Sequence, residues 1–133
     1  MSEHLTHIAI YDDTSRLIHH SKAFHEAFKI SLKNHPDVGL MASGARSNHL
    51  HAVPFIEQAR DTWKNRKPGD GTEEKIAAAI AWLAHRAIDI QVKAIQLEYN
   101  DINSPAFSKD ENDIYQDAVT FDKVYAGGKK KAI

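Results

Sequence analysis

The stretch from Thr72 to Tyr99 constrains the fold more than any other part of the chain. It can run unbroken as one helix, and its first residues suit a helix N-terminus, with Thr72 as the cap and acidic side chains next to the positive end of the dipole. One face carries Ile76, Ile80, Leu83, Ala87 and Ile90, and the other side is also apolar, through Ala78, Ala81, Trp82 and Val92. A helix that is apolar nearly all round is usually buried inside a bundle. The segment therefore predicts a long central helix.

Helical spacing of apolar residues continues through most of the remaining chain. Pro36 predicts that the second helix ends at Asn34 and His35, because proline disfavours helical geometry at the residue before it. Residues 65–71 form the clearest loop, and few residues alternate with period two. The expected fold is all-α, a single-domain helical bundle or orthogonal helical array with a long buried central helix. The domain spans residues 1–133, and residues 127–133 are expected to form a flexible tail.

Composition excludes several classes of function. The chain has 133 residues, of which 42% are hydrophobic, which suits one domain with one core. Its formal net charge of −1 provides no overall field for nucleic acid, so no nucleic-acid partner is expected. Cysteine is absent, which excludes disulfides, thiolate metal ligands and thiol nucleophiles.

The first residues contain no basic segment followed by an apolar one, as a signal peptide would. No segment approaches the roughly 20 apolar residues that a membrane-spanning helix needs. We therefore expect a cytoplasmic protein without a transmembrane segment.

The residues most suggestive of chemistry are His85 and Asp89 on the central helix. Four residues apart, they project from the same helix face. A carboxylate on a buried helix is costly unless it is paired or bound to a metal, and imidazole with carboxylate suits Zn²⁺ and related divalent ions. The alternative is structural, because a pair at this spacing can simply hydrogen-bond to itself or cap a polar seam between helices.

Other polar residues could complete a site around this pair. His7 on the first helix, and His49 and His51 at a junction between loop and helix, are candidate metal ligands; exposed, solvated side chains are the alternative for all three. Asp12 and Asp13 could supply a ligand or a general base, or form a solvated helix turn. Arg46 could hold an anionic substrate such as phosphate.

Three stretches, residues 6–9, 39–51 and 80–89, resemble the zinc-dependent phospholipase C family, whose helical fold is shared with single-strand-specific nucleases. The likeness covers roughly residues 4–97. It implies that His7, His51, His85 and Asp89 match ligand positions, with Asp89 as the bridging aspartate, and that the cofactor is zinc. It also implies that metal-activated water attacks a phosphodiester or related ester. The family's further histidine and H-x-x-x-E motif have no counterpart after Asp89, so the ligand set is incomplete.

Two functions follow from these patterns. The first is a metal-dependent hydrolase acting on a small-molecule or lipid-like phosphoester, with Asp89, Asp12 and Asp13 as catalytic carboxylates. The second is a non-catalytic helical interaction or oligomerisation protein that retains the fold. In the second case, the last helix would present Phe121 and Tyr125 as a contact surface, and a homo-oligomer is one such assembly.

Overall fold

The computed structural model describes residues 4–45, 48–99 and 109–131, with the side chains of residues 92–99 and 109–112 left undescribed. Within these ranges the regular structure is helical, as the spacing of apolar residues predicts. The α-helices are α1 (His4–His20), α2 (Glu26–Asn34), α3 (Pro36–Gly44), α4 (Ala52–Thr62), α5 (Thr72–Tyr99) and α6 (Lys109–Lys123). Short 3₁₀ turns occupy His49–His51, Trp63–Asn65 and Ala126–Gly128.

Local chemistry sets the helix ends. The second helix ends at Asn34, and Pro36 occupies the first turn of α3, where its missing N–H costs nothing. The expectation that Thr72 caps α5 is wrong. The carboxylate of Asp70 accepts bonds from the backbone N–H groups of Lys67 and Thr72 instead, at 2.7 and 2.9 Å. The Thr72 hydroxyl lies 2.9 Å from that of Thr62 and so ties α5 to the end of α4.

The predicted central helix is confirmed by its surroundings. Helices α1, α2, α3 and α4 all pack against α5. Six successive residues, 76–81, are buried, so every side of these turns is covered. Four of the six are alanines, whose small side chains let the neighbouring helices approach closely. The core continues through Tyr11, Ile18, Leu32, Ala42 and Ala59.

Helix α6 packs against α1 rather than against the centre of the array. Its Asp117 carboxylate accepts bonds from the backbone N–H groups of Leu5 and Thr6 and from the Thr6 hydroxyl, at 3.1, 2.8 and 2.7 Å. The start of α1 is thus capped by a side chain more than a hundred residues away in sequence. Tyr125, expected on an exposed contact surface, is instead buried, while Phe121 is 46% exposed.

None of the helices in the described ranges combines the length and the apolar character needed to cross a bilayer. Helix α5 is long enough at 28 residues, but charged side chains interrupt its apolar character.

Candidate metal centre

Three side chains with metal-binding chemistry converge where α1 crosses α5. His7 comes from α1, and His85 and Asp89 come from α5; their ligand atoms all lie within 4.8 Å of one another. The Nε2 atom of His7 lies 3.2 Å from Asp89 Oδ1, and that of His85 lies 3.3 Å from Asp89 Oδ2. Each carboxylate oxygen therefore faces one imidazole nitrogen. Nothing in the spacing of α5 alone determines this arrangement, because His7 is supplied by a different helix.

The backbone of α3 fixes the orientation of one of the two rings. His85 Nδ1 lies 2.7 Å from the carbonyl oxygen of Ser43, near the C-terminus of α3. A carbonyl only accepts hydrogen bonds, so Nδ1 is the donor in this contact and Nε2 is the nitrogen that faces Asp89. A backbone or carboxylate acceptor on the other nitrogen is the usual support of a histidine that binds a metal.

The two imidazoles are stacked face to face. Their ring centroids are 3.6 Å apart and their planes differ by 5°. An imidazole nitrogen binds a metal in the plane of its ring, so two parallel rings at this separation can share one ion only after one ring rotates out of the stack.

The polar side chains of the cluster are buried, whereas some apolar side chains of α5 are exposed. His7, His85 and Asp89 are 2%, 5% and 8% exposed, whereas Leu83 and Ile90 on the same helix are 40% and 52% exposed. Full burial of a leucine or isoleucine would contribute about 1.5–3 kcal/mol. This part of α5 instead turns its polar side inward. Such an arrangement is costly unless the buried carboxylate interacts with positive charge.

Hydrogen bonding between these side chains does not fully satisfy them. His85 Nε2 and Asp89 Oδ1 are both buried. Each lies 3.2–3.3 Å from a side chain of the cluster, yet neither makes a hydrogen bond of normal geometry within the described ranges. The cluster matches a divalent ion by donor type and by burial.

The other candidates are placed elsewhere. His51 is exposed and His49 is half-buried in the 3₁₀ turn before α4, and neither belongs to the cluster. Asp12 is buried beside Arg16, whose Nε lies 3.3 Å from Asp12 Oδ1, while Asp13 is exposed. Arg46 lies outside the described residues. Roles for these residues as ligands, bases or substrate contacts stay predictions.

Sequence analysis did not identify two groups that lie near the cluster residues in the fold, the Ser43 carbonyl and the Tyr11 side chain. The Ser43 carbonyl is a backbone group, so no side-chain motif marks it. Tyr11 lies one turn after His7 on the buried face of α1, and the apolar spacing could have indicated its position but not its contact with Gly39. Burial, and then the neighbouring charge of Asp12, raises the pKa of Tyr11 to about 12.

One histidine outside the cluster has a structural role. His35 Nε2 lies 3.1 Å from Glu73 Oε2 and its Nδ1 lies 3.8 Å from Glu74 Oε1. Arg66 also pairs with Glu73, at 3.0 Å. Hydrogen bonds from Asn34, Arg66 and His35 lower the pKa of Glu73 below its ordinary value of 4.5, against the opposing effect of burial. This network joins the end of α2 to the start of α5.

Comparison of the chain with known proteins finds no matching family model, no matching curated protein and no matching solved structure.

Proposed function

We propose that this protein binds a divalent metal ion through His7, His85 and Asp89 and uses it to hydrolyse an ester or phosphoester. The observation that carries the proposal is the buried convergence of two imidazole nitrogens on the two oxygens of one carboxylate. Zinc is the proposed ion because the donor set contains two histidines and a carboxylate, which is usual for catalytic zinc. The resemblance to the zinc-dependent phospholipase C family supports the same choice.

The spacing of the donors suits zinc. With a metal–ligand distance of about 2.0–2.1 Å, two ligands at tetrahedral positions are roughly 3.3 Å apart. The separations of His7 Nε2 from Asp89 Oδ1 and of His85 Nε2 from Asp89 Oδ2, 3.2 and 3.3 Å, are of this size, and a shared ion would draw both nitrogens towards one carboxylate oxygen. Catalytic zinc keeps three protein ligands and leaves one position for water or substrate. The three side chains of the cluster match that number.

A bound divalent ion supplies a Lewis acid and lowers the pKa of water so that it becomes a nucleophile near neutral pH. The residues of the chain do the positioning. The Ser43 carbonyl holds the His85 ring so that Nε2 faces the cluster, and Asp89 contributes the negative charge that makes the site selective for cations. Their burial limits competition from bulk water and strengthens each electrostatic contact.

The proposed substrate is a small-molecule or lipid-like phosphoester, and the proposed location of the protein is the cytoplasm. No nucleic-acid substrate is proposed, since the net charge of −1 offers no attraction for a polyanion. A non-catalytic interaction protein is the alternative. It would use the same His7–Asp89–His85 contacts to hold α1 against α5 without metal, and self-association is the simplest form it could take.

The direct test is metal content by elemental analysis of protein purified without a metal-binding tag. We expect about one zinc per chain in the wild type and a loss of most of it in His85→Ala and in Asp89→Ala. His35→Ala is a matched control, because His35 also lies beside carboxylates but outside the cluster. Circular dichroism of every variant establishes that the helices are retained.

Hydrolysis of bis(p-nitrophenyl) phosphate by the same proteins tests the second half of the proposal. The rate should fall at least a hundredfold in the two cluster variants and on removal of metal with a chelator, and should stay within about twofold in His35→Ala. Folded wild type that binds no divalent ion at a saturating concentration would refute the metal site. Stoichiometric metal without ester hydrolysis would refute the enzymatic role and leave the metal as a structural element.

A further inference from the structure

A second candidate site shares no residue with the metal cluster. A groove of about 370 Å³ runs between α2 and α4, with α5 beneath it. Apolar side chains line its interior: Phe28, Ile56, Ala59, Trp63 and Ile76. Ala59 and Ile76 are buried, and the other three are half-buried, so the groove exposes hydrocarbon and aromatic surface to solvent.

The rim of this groove is positively charged. Among the described residues that line it, Arg60, Lys64 and His25 are basic and none is acidic. Within the described part of the chain, Arg60 pairs weakly with Asp61, whose Oδ1 lies 3.6 Å from Arg60 Nε; both side chains are more than 70% exposed, so the pair contributes little. The guanidinium therefore keeps donors for an anion at the groove.

His25 presents a further donor. Its Nδ1 accepts a hydrogen bond from the backbone N–H of Ala27, at 3.0 Å, and so caps α2. When Nδ1 accepts, the proton of a neutral imidazole is on Nε2, and Nε2 is then a donor directed away from the helix. The rim thus combines two permanent cations with an N–H donor around an apolar interior.

We propose that this groove binds the anion of a medium-chain fatty acid, with the hydrocarbon chain along Phe28, Ile56 and Trp63 and the carboxylate at Arg60 and Lys64. An apolar interior with a few convergent polar groups is the usual composition of a small-molecule site. An arginine recognises a carboxylate by charge-assisted hydrogen bonds. The proposal is independent of the metal centre: Ile76 and His85 are separated by nine residues of α5, or about 13 Å along the helix axis.

The size of the groove guides the choice of ligand. Its volume of about 370 Å³ is near the lower end of the roughly 300–1,000 Å³ that is typical of small-molecule sites, which suits a medium-chain acid such as decanoate. Decanoate also stays monomeric at concentrations useful for titration.

The test is isothermal titration of the full chain with sodium decanoate below its micellar concentration, compared with 1-decanol and butyrate. Decanoate should bind saturably at about one per chain, and the neutral alcohol and the short acid should each bind at least tenfold more weakly. The emission of Trp63, followed in a Trp82→Phe background, should change with the same midpoint, because Trp63 lines the groove and Trp82 does not.

Two double variants of equal charge change separate recognition from general electrostatics. Arg60→Gln/Lys64→Gln should weaken decanoate binding by about tenfold, the loss expected for charge-assisted hydrogen bonds. Lys22→Gln/Lys33→Gln removes two exposed cations outside the groove and should leave the affinity within twofold. Non-saturable binding, equal binding of decanol, or equal loss in both double variants would overturn the proposal.

Discussion

Replacement of Gly39 by alanine should both destabilise the fold and weaken the candidate metal centre. Gly39 is buried in α3, and a Cβ atom built there overlaps the hydroxyl and Cζ of Tyr11 and lies 2.7 Å from its Cε1. Carbon atoms pack best at about 3.5–4.0 Å, so the Tyr11 ring or α3 itself would have to move by on the order of 1 Å. Tyr11 is completely buried, so its ring can move only by displacing its neighbours.

The expected magnitude combines two opposing effects. Overpacking of a well-filled core costs about 1–3 kcal/mol and occasionally more, and this overlap belongs at or above the upper end. Alanine gains about 1 kcal/mol over glycine within a helix. A net loss of about 2–4 kcal/mol follows. For 133 residues the entropy of unfolding is roughly 0.28 kcal/mol/K, so the melting temperature should fall by about 7–14 °C.

Gly39→Ala should also alter the candidate metal centre, because it pushes α3 away from α1 and both helices contribute to the centre. Tyr11 is one turn after His7 on α1, and Gly39 is one turn before Ser43 on α3, whose carbonyl holds His85. Pushing α3 away from α1 lengthens the contact between Ser43 and His85. The affinity of the proposed zinc site should therefore drop by about 10–100-fold, the usual effect of losing such a supporting hydrogen bond.

Urea denaturation followed by circular dichroism measures the first effect, and competition with a chelator measures the second. Gly44→Ala is the matched control in the same helix, because a Cβ there meets no atom closer than 3.6 Å. Adding Tyr11→Leu should recover part of the loss caused by Gly39→Ala, with a coupling of about 1–3 kcal/mol. Equal stability of Gly39→Ala and Gly44→Ala would refute the reasoning.

Three further changes test individual contacts. Asp117→Ala should cost about 1–2 kcal/mol in urea denaturation because it uncaps α1, whereas Asp122→Ala, an exposed control, should be neutral; equal losses would contradict a capping role. Glu73→Gln should cost about 1 kcal/mol at pH 6. The stability difference between wild type and this variant should shrink at pH 3. A lowered pKa of Glu73 stabilises the fold above pH 4.5, and that stabilisation is lost as pH falls through the pKa of the folded state. A difference that does not depend on pH would exclude this contribution of the Glu73 carboxylate. Tyr11→Phe should be neutral or stabilising at pH 7, because the buried Tyr11 hydroxyl has no hydrogen bond within the described ranges. The same variant should remove a destabilisation of about 2–3 kcal/mol that develops between pH 10 and 12, because the raised pKa of Tyr11 disfavours its ionised form in the folded state. If wild type and Tyr11→Phe lose stability equally over this pH range, the ionisation of Tyr11 is not the cause.

Much of the secondary structure follows directly from local sequence chemistry. Pro36 separates α2 from α3, the glycine-rich segment before Thr72 separates α4 from α5, and the apolar residues around Ile76 and Ile80 require burial on every side. These features act over a few residues, so they are readable without knowledge of the fold. The spacing of His85 and Asp89 belongs to the same class, because a helix places residues four apart on one face.

What the sequence could not determine is which side of α5 faces inward near its middle. Apolar spacing favours burial of Leu83 and Ile90, yet they are 40% and 52% exposed, and His85 and Asp89 are buried instead. The choice depends on partners distant in sequence, namely His7 on α1 and the Ser43 carbonyl on α3. The sequence by itself determined the helices and the candidate ligands on α5. Only the tertiary structure decided that His7, and not His49 or His51, joins them, because convergence of side chains depends on how helices cross and not on the order of residues along them.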